Sequence, residues 1–457
     1  MIFSQYYLDC LSQASYLIAD ETSGQAVIVD PRRDVDEYLA DAQERGLTVV
    51  GVINTHFHAD FLAGHLELAA RTGAWIGYGR RAETEYSIRK LADGERIELG
   101  DVTLQITETP GHTPESISIL VFEQPDDTVP YGVLTGDALF IGDVGRPDLL
   151  ASTGVTAEEL GAMLYDSVHR KLMALPDETL VFPAHGAGSA CGKNLSTDRQ
   201  STIGRERATN YACAPMDEAT FVALVTDGQP TAPGYFGYDA DLNRRERELF
   251  DPAAVRALAA DDFLARRAEG ALVVDGRDPA AFAAGHLTGA LNVPADGRFA
   301  EQSGTVLAPE SELLVIAPEG RGAELVTRLA RIGFDRVAGY LADPEEVFLA
   351  HPELTRQGAR LTVHTLREEL AGQQPPLVVD VRGAAEREAG AIPGSLHLPL
   401  AELPTRHGEL PTDRRVVLHC AGGSRSSIAA SLLRHHGHRH AYDLIGGYGA
   451  WEATPTA

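Results

Sequence analysis

Cysteine is scarce in this chain and scattered where it occurs: Cys10, Cys191, Cys213 and Cys420 are the only four in 457 residues. That number and spacing exclude a disulfide framework of the kind that staples small secreted domains, and a reducing cytoplasm is the expected compartment. Positive charge is also short, with 39 Lys and Arg against 66 Asp and Glu and a formal net charge of −27. Binding nucleic acid through counterion release needs a positive surface, so no nucleic-acid partner is expected. Long apolar runs are missing, which removes the expectation of a membrane span. The opening MIFSQYYLDCLSQASYLIAD has no basic region leading into an apolar stretch, so it does not read as an export signal. It reads instead as two strands around a polar turn.

What remains is ordinary globular composition, 44% hydrophobic and 23% charged, with material for large cores. The length suggests three domains at about 150 residues each. An acidic surface of this strength favours solubility.

The chemistry gathers at THFHADFLAGH, Thr55 to His65. It follows the apolar run VVGVI, a buried strand, so His56, His58 and Asp60 fall where a strand gives way to a loop. Side chains on a regular strand diverge, and these three converge only if the backbone curls. A metal site explains such a cluster. His112 in TPGHTPES, Asp137 in LTGDALF and His185 in VFPAHGAG each follow a short apolar run or sit in a Gly/Pro turn, where a rigid scaffold presents ligands. His65 falls in the next helix, GHLELAARTG, and reads as structural. VDEYLADAQERG reads as an amphipathic helix ended by Gly46.

Taken in chain order, HxHxD, a lone His, a lone Asp and a final His resemble the metallo-β-lactamase superfamily. Its di-zinc hydrolases, glyoxalase II among them, continue as HxHxDH, but this chain has Phe61 at the last position. A phenyl ring donates nothing to a metal, so one metal is expected. Among the mononuclear branches the sequence is most similar to the persulfide dioxygenases. That resemblance implies one Fe(2+) held by His56, His112 and Asp137, with His58, Asp60 and His185 as supporting or substrate-facing groups. Two imidazoles and one carboxylate leave open positions on iron for dioxygen and a substrate sulfur together. Zinc, the alternative, has no accessible redox change and would restrict the pocket to Lewis-acid or hydroxide chemistry. In FIGDVGRPDLL, Arg146 reads as a structural ion pair with Asp148, the alternative being recognition of a substrate carboxylate. Cys191 reads as a small buried hydrophobe, with sulfur relay as the sharper alternative.

From about Asp251 the chain turns Ala-rich, and DPAAVRALAADDFLARRAEG suggests a helix. An internal repeat follows: LVVDGRDPAAFAAGHLTGALNVP, from Leu272 to Pro294, matches LVVDVRGAAEREAGAIPGSLHLP, from Leu377 to Pro399. Both resemble rhodanese domains. In the second copy the strand VVLH runs into CAGGSRS and then a helical run, an order that aims backbone N–H groups and the helix's positive end at Cys420, with Arg425 nearby. This favours thiolate, the form that attacks sulfur. Four residues separate Cys420 from Arg425, one fewer than in the Cys-dependent phosphatases, and the tighter ring resembles a persulfide-cradling loop made by Ala421, Gly422, Gly423, Ser424 and Ser426. Ala317 occupies the place of Cys420 in the first copy, which cannot carry a persulfide.

The fold class expected is therefore α+β and α/β multidomain: a metallo-β-lactamase αββα sandwich over 1–250, then rhodanese-like α/β domains over 251–355, without the active Cys, and 356–457, with Cys420. The whole resembles bacterial fusions of a persulfide dioxygenase with a pseudo-rhodanese and an active rhodanese domain. By resemblance it would oxidise a low-molecular-weight persulfide of glutathione, coenzyme A or another thiol with O2 to sulfite. Sulfane sulfur on Cys420 would then give thiosulfate. The alternatives are a zinc-dependent glyoxalase II-type thioester hydrolase with attached sulfurtransferase domains, and a non-catalytic persulfide-sensing scaffold. Association into a homo-oligomer through the Cys-less repeat is compatible with the sequence.

Overall fold

The opening segment forms the two strands the sequence suggests, β1 (Ile2–Leu8) and β2 (Gln13–Ala19), paired antiparallel. The computed structural model describes residues 1–149, 154–229 and 231–454, so residues 150–153, 230 and 455–457, Leu150 among them, lie outside the described residues. The chain divides into two compact units, Met1–Phe250 and Asp251–Ala457.

In the first unit β1 and β2 are followed by β3 (Gln25–Val29), β4 (Thr48–Ile53), β5 (Trp75–Gly79) and β6 (Arg89–Leu91), which form one six-stranded sheet in chain order. A second six-stranded sheet, also in chain order, holds β7 (Arg96–Glu98), β8 (Thr103–Glu108), β9 (Ile117–Phe122), β10 (Gly132–Gly136), β11 (Leu180–Pro183) and β12 (Ser201–Thr202). Inward residues of both, including Tyr16, Val27 and Ile53 from one and Leu104, Ile119 and Leu134 from the other, share one core. The outer face of the first sheet is covered by helices Asp36–Glu44 and His65–Thr72 through Tyr38, Ala42 and Leu68. Leu164 and Phe221, from helices Ala157–Tyr165 and Glu218–Thr226, cover the outer face of the second. The order of layers is αββα.

In the second unit the sequence repeat is a structural repeat. Its strands are β13 (Ala257–Leu258), β14 (Leu272–Asp275), β15 (His286–Leu287), β16 (Leu291–Asn292), β17 (Leu313–Ile316), β18 (Val337–Leu341), β19 (Thr355–Arg356), β20 (Arg360–Leu361), β21 (Leu377–Asp380), β22 (Leu396–His397), β23 (Val416–His419) and β24 (Ala441–Leu444). Two parallel sheets result, in the orders β13-β18-β17-β14-β16 and β20-β24-β23-β21-β22, one topology used twice. The Ala-rich stretch from Asp251 is not one helix. Only Ala260–Ala268 is α-helical, because Ala257 and Leu258 pair with Tyr340 and Leu341 as an edge strand, and that pairing overrides the helix propensity of alanine. Among the described residues no helix is long and apolar enough to cross a membrane.

Glu67, on the helix that follows the ligand loop, ties the end of the first unit to that loop. Its carboxylate accepts from Arg33 Nε at 3.0 Å and from Arg247 Nη1 and Nη2 at 2.6 and 3.0 Å, while Arg247 Nη2 also donates to the Ala63 carbonyl at 2.7 Å. Burial alone would raise the carboxyl; the Arg247 hydrogen bonds and charge outweigh it and bring it from an ordinary 4.5 down to about 2. A depressed carboxyl stabilises the fold fully above its unfolded value. That stabilisation is lost as pH falls from 4.5 toward about 2. Glu67→Gln is expected to cost about 3 kcal/mol at neutral pH by leaving Arg247 buried without its anion. Acid titration of unfolding checks this: the variant's stability should vary less than the native protein's across that window.

Candidate functional site

The segment between β4 and helix His65–Thr72 curls as the ligand spacing requires, and Asp30, at the end of β3, sets the curl. Its Oδ1 accepts the Thr55 N–H at 2.7 Å and the His58 ring at 2.9 Å, and its Oδ2 accepts the Thr55 hydroxyl at 2.8 Å. To do this Asp30 adopts a left-handed backbone, φ 50°, uncommon outside glycine and Asn or Asp. From the far end of the unit, Asn243 Nδ2 donates to the carbonyls of His58 and Phe61 at 2.8 and 2.9 Å, and its Oδ1 accepts from Ala63 N–H at 3.0 Å.

These contacts decide which ring nitrogens are bare. The one hydroxyl hydrogen of Thr55 goes to Asp30, so Thr55 Oγ1 accepts from His56 Nδ1 at 2.9 Å and His56 Nε2 carries a lone pair. His112 Nδ1 donates to the Arg146 carbonyl at 2.9 Å, which leaves its Nε2 bare in the same way. Asp137 completes the group: its Oδ2 lies 3.8 Å from His56 Nε2 and 3.5 Å from His112 Nε2. His56 Nε2 and Asp137 Oδ2 are both buried with no hydrogen-bond partner among the described residues. Such separations suit donors around a shared cation better than hydrogen bonds. Burial, then the neighbouring His58, pushes His56 toward its neutral form, the form that ligates. Burial acts to raise Asp137, but His185 and His56 outweigh it and hold it ionised. His56, His112 and Asp137 thus form a donor set that fits one metal ion.

His185 bridges two carboxylates, Nδ1 to Asp137 Oδ1 and Nε2 to Asp60 Oδ2, each at 2.8 Å. Asp60, His185 and Cys191 are a second cluster of donors within 4.8 Å of one another, all buried. Burial first, with Asp60 and Asp137 next, pushes the Cys191 thiol up. Phe61 is fully buried with its ring 4.3 Å from that of His58, whose Nδ1 has no hydrogen-bond partner among the described residues. Arg146 makes two 2.7 Å bonds to Asp148 and presents its carbonyl to His112. The loop carrying it passes so close that a Cβ on Gly145 would lie 1.9 Å from the Asp137 carbonyl oxygen. His65 is buried between Tyr78 and Tyr86, apart from the donors.

Cys420 follows β23 directly. The chain turns through Ala421, Gly422 and Gly423, the last at φ 109°, into helix Ser424–His435. Gly423 N–H donates to Cys420 Sγ at 3.1 Å and Ser426 Oγ lies 3.7 Å from it. Helix Gly447–Ala453 braces the turn from behind, with Tyr448 N–H on the Cys420 carbonyl at 2.7 Å and Gly449 N–H on that of Ala421 at 3.0 Å. Arg425 is held by Glu386 through two bonds of 2.7 Å. In the first repeat Ala281 stands where Glu386 does, Gly322 where Arg425 does and Ala317 where Cys420 does.

Asp30, Thr55, Asn243 and Glu386 carry no expectation from sequence. Glu386 had a signal, an acid in one repeat against alanine in the other, beside the matching change from Gly322 to Arg425. Asp30 ends an apolar strand, a weaker sign. Asn243 had none, being 185 residues from the carbonyl it binds.

The metallo-beta-lactamase superfamily matches residues 8–185, and the rhodanese-like domain family matches 259–343 and 362–454. The chain is 30% identical over 230 residues to a hydroxyacylglutathione hydrolase of Rhodospirillum rubrum, covering 50% of this chain and 80% of that one. It is 32% identical over 174 residues to the human mitochondrial persulfide dioxygenase ETHE1, covering 37% of this chain and 63% of that one. A solved metallo-beta-lactamase structure from Staphylococcus aureus superposes at a TM-score of 0.66, with 34% identity, over 74% of this chain and 98% of that one. That match reaches beyond the first unit, and with the repeated sheet topology it accounts for the whole chain: it belongs to the metallo-beta-lactamase superfamily and carries two rhodanese-like domains after that fold.

Proposed function

We propose that the chain is a mononuclear iron persulfide dioxygenase joined to a sulfurtransferase, in three domains over 1–250, 251–355 and 356–457. The observation that supports it most is the converging set of His56 Nε2, His112 Nε2 and Asp137 Oδ2, beside a place where Phe61 offers no donor. Bound there, ferrous iron would supply the electron chemistry that dioxygen needs and leave positions open for substrate. Thr55 and the Arg146 carbonyl hold the two imidazoles in the ligating tautomer, and Phe61 keeps water from one side. The overall change is RSSH + O2 + H2O giving RSH and H2SO3, with four electrons passing from sulfur to dioxygen. Substrate would be the persulfide of a small thiol.

Cys420 is proposed to carry sulfane sulfur. Sulfite would attack the outer sulfur of a Cys420 persulfide, break its S–S bond and leave as thiosulfate, returning the electron pair to the Cys420 thiolate. The Gly423 N–H, which donates to Cys420 Sγ, and Arg425, held by Glu386, would hold anionic sulfur there.

A second reading has its own support. Asp60, His185 and Cys191 could hold another ion, and the Rhodospirillum relative is named a hydrolase, so a two-metal thioester hydrolase is the competitor. Metal content separates the two: one iron per chain with oxygen uptake on a small-thiol persulfide is expected. Two metals lost to one in Cys191→Ala, with thioester hydrolysis and no oxygen uptake, would reverse the assignment.

His112→Ala is expected to abolish both bound iron and oxygen uptake. Thr55→Val, which removes the partner of His56 Nδ1, should weaken iron binding by about 10- to 100-fold, read by chelator competition. Cys420→Ser should keep sulfite production and lose thiosulfate, as measured by separating the two anions after turnover; undiminished thiosulfate would remove Cys420 from the scheme.

A further inference from the structure

One face of the Cys420 helix is occupied by the Cys-less repeat. Ser427, Ser431 and His435 follow at four-residue intervals and so share one side of helix Ser424–His435. Ser427 Oγ donates to Asn292 Oδ1 at 2.6 Å, Asn292 N–H donates to Ser431 Oγ at 2.9 Å, and His435 Nδ1 meets the Gly289 carbonyl at 3.0 Å. Ser427, Ser431 and Asn292 are all buried. Asn292 is itself pinned, its Nδ2 donating to the carbonyls of Asp275 at 3.0 Å and Arg277 at 2.8 Å. The corresponding residue of the second repeat, His397, bonds its own Arg382 carbonyl at 2.8 Å. Each copy thus bonds its own arginine carbonyl, and the bonds to Ser427 and Ser431 are what Asn292 adds.

The contact lies one residue from the sulfur's own surroundings. Ser427 follows Ser426, whose Oγ is 3.7 Å from Cys420 Sγ, and the same first turn begins immediately after Gly423, whose N–H donates to Sγ at 3.1 Å. Backbone hydrogen bonds join residue 427 to that turn, so a displacement at Asn292 is passed to the groups that face the sulfur. We infer that the Cys-less repeat is a splint for the Cys420 helix, with Asn292 the positioning residue that fixes where the helix's amino end points. This rests on the proposed role of Cys420 as sulfur carrier for its meaning.

The double variant Ser427→Ala/Ser431→Ala tests it in the full-length chain, because alanine suits a helix and the fold should survive. Two quantities are read well below the unfolding temperature. One is the rate of Cys420 alkylation by iodoacetamide, followed by mass spectrometry with Cys420→Ser as blank. The other is sulfur transfer from thiosulfate to cyanide. Alkylation about fivefold slower is expected, the factor carried by weakening the one Gly423 N–H bond to the Cys420 thiolate, with kcat lowered alike and KM for thiosulfate unchanged. A lower unfolding temperature with native or faster alkylation and native kcat would overturn the splint, leaving a contact that only stabilises. If the native chain transfers no sulfur, the proposed function fails separately, and the alkylation rate still decides the positioning.

Discussion

A buried polar atom with no partner costs about 1–3 kcal/mol, and this protein keeps at least two of them facing each other, His56 Nε2 and Asp137 Oδ2. Much of the first unit serves to hold that arrangement. His56 cannot turn its bare nitrogen toward another partner, because Nδ1 is fixed by Thr55 and Thr55 by Asp30. His112 is fixed in the same way by a carbonyl of the loop that Gly145 lets pass against Asp137. The left-handed backbone at Asp30 adds about 1–3 kcal/mol of strain. A cation shared by the three donors would offset both costs, which is why the cluster reads as a metal centre and not as a polar defect.

The two repeats share one fold and differ at the positions that the proposed chemistry uses. Each retains the strand-end clamp, Asp275 with Arg277 and Asp380 with Arg382, bonded in the same bidentate manner. The clamp holds strand to loop and is needed whether or not a thiol follows. Cys420, Arg425 and Glu386 are replaced together in the first copy by Ala317, Gly322 and Ala281. Glu386 and Arg425 are joined by two bonds of 2.7 Å, a pair the first copy lacks at both positions. What the first copy has in their stead is Asn292 turned toward its neighbour.

Much of this was legible in the sequence because the relevant signals are local. Apolar runs ending in His, Asp or Cys mark strands that deliver side chains to loops, and the repeat from Leu272 and from Leu377 states its own topology. The stretch from Asp251 was misread as a single helix because alanine's propensity is local, whereas the pairing of Ala257 and Leu258 with β18 is not. Contacts set by packing alone were invisible for the same reason. Asn243 reaches back across the unit to the ligand loop, and no spacing rule connects it to His58.

Phe61 bears on how charge is balanced around the donors. Asp60 and Asp137 are two buried carboxylates that would repel, and each lies 2.8 Å from a different nitrogen of His185. Burial acts to lower the His185 ring, but Asp137 and Asp60 outweigh it and hold the ring well above its ordinary value. A protonated His185 would offset the charge of both carboxylates. A phenyl ring can stand beside such a site, because it need supply neither charge nor lone pair. The Cys191 thiol, pushed up by burial and by the same carboxylates, is neutral as well. The second cluster has His185 between its two carboxylates, while the first has two bare imidazole nitrogens beside an ionised Asp137.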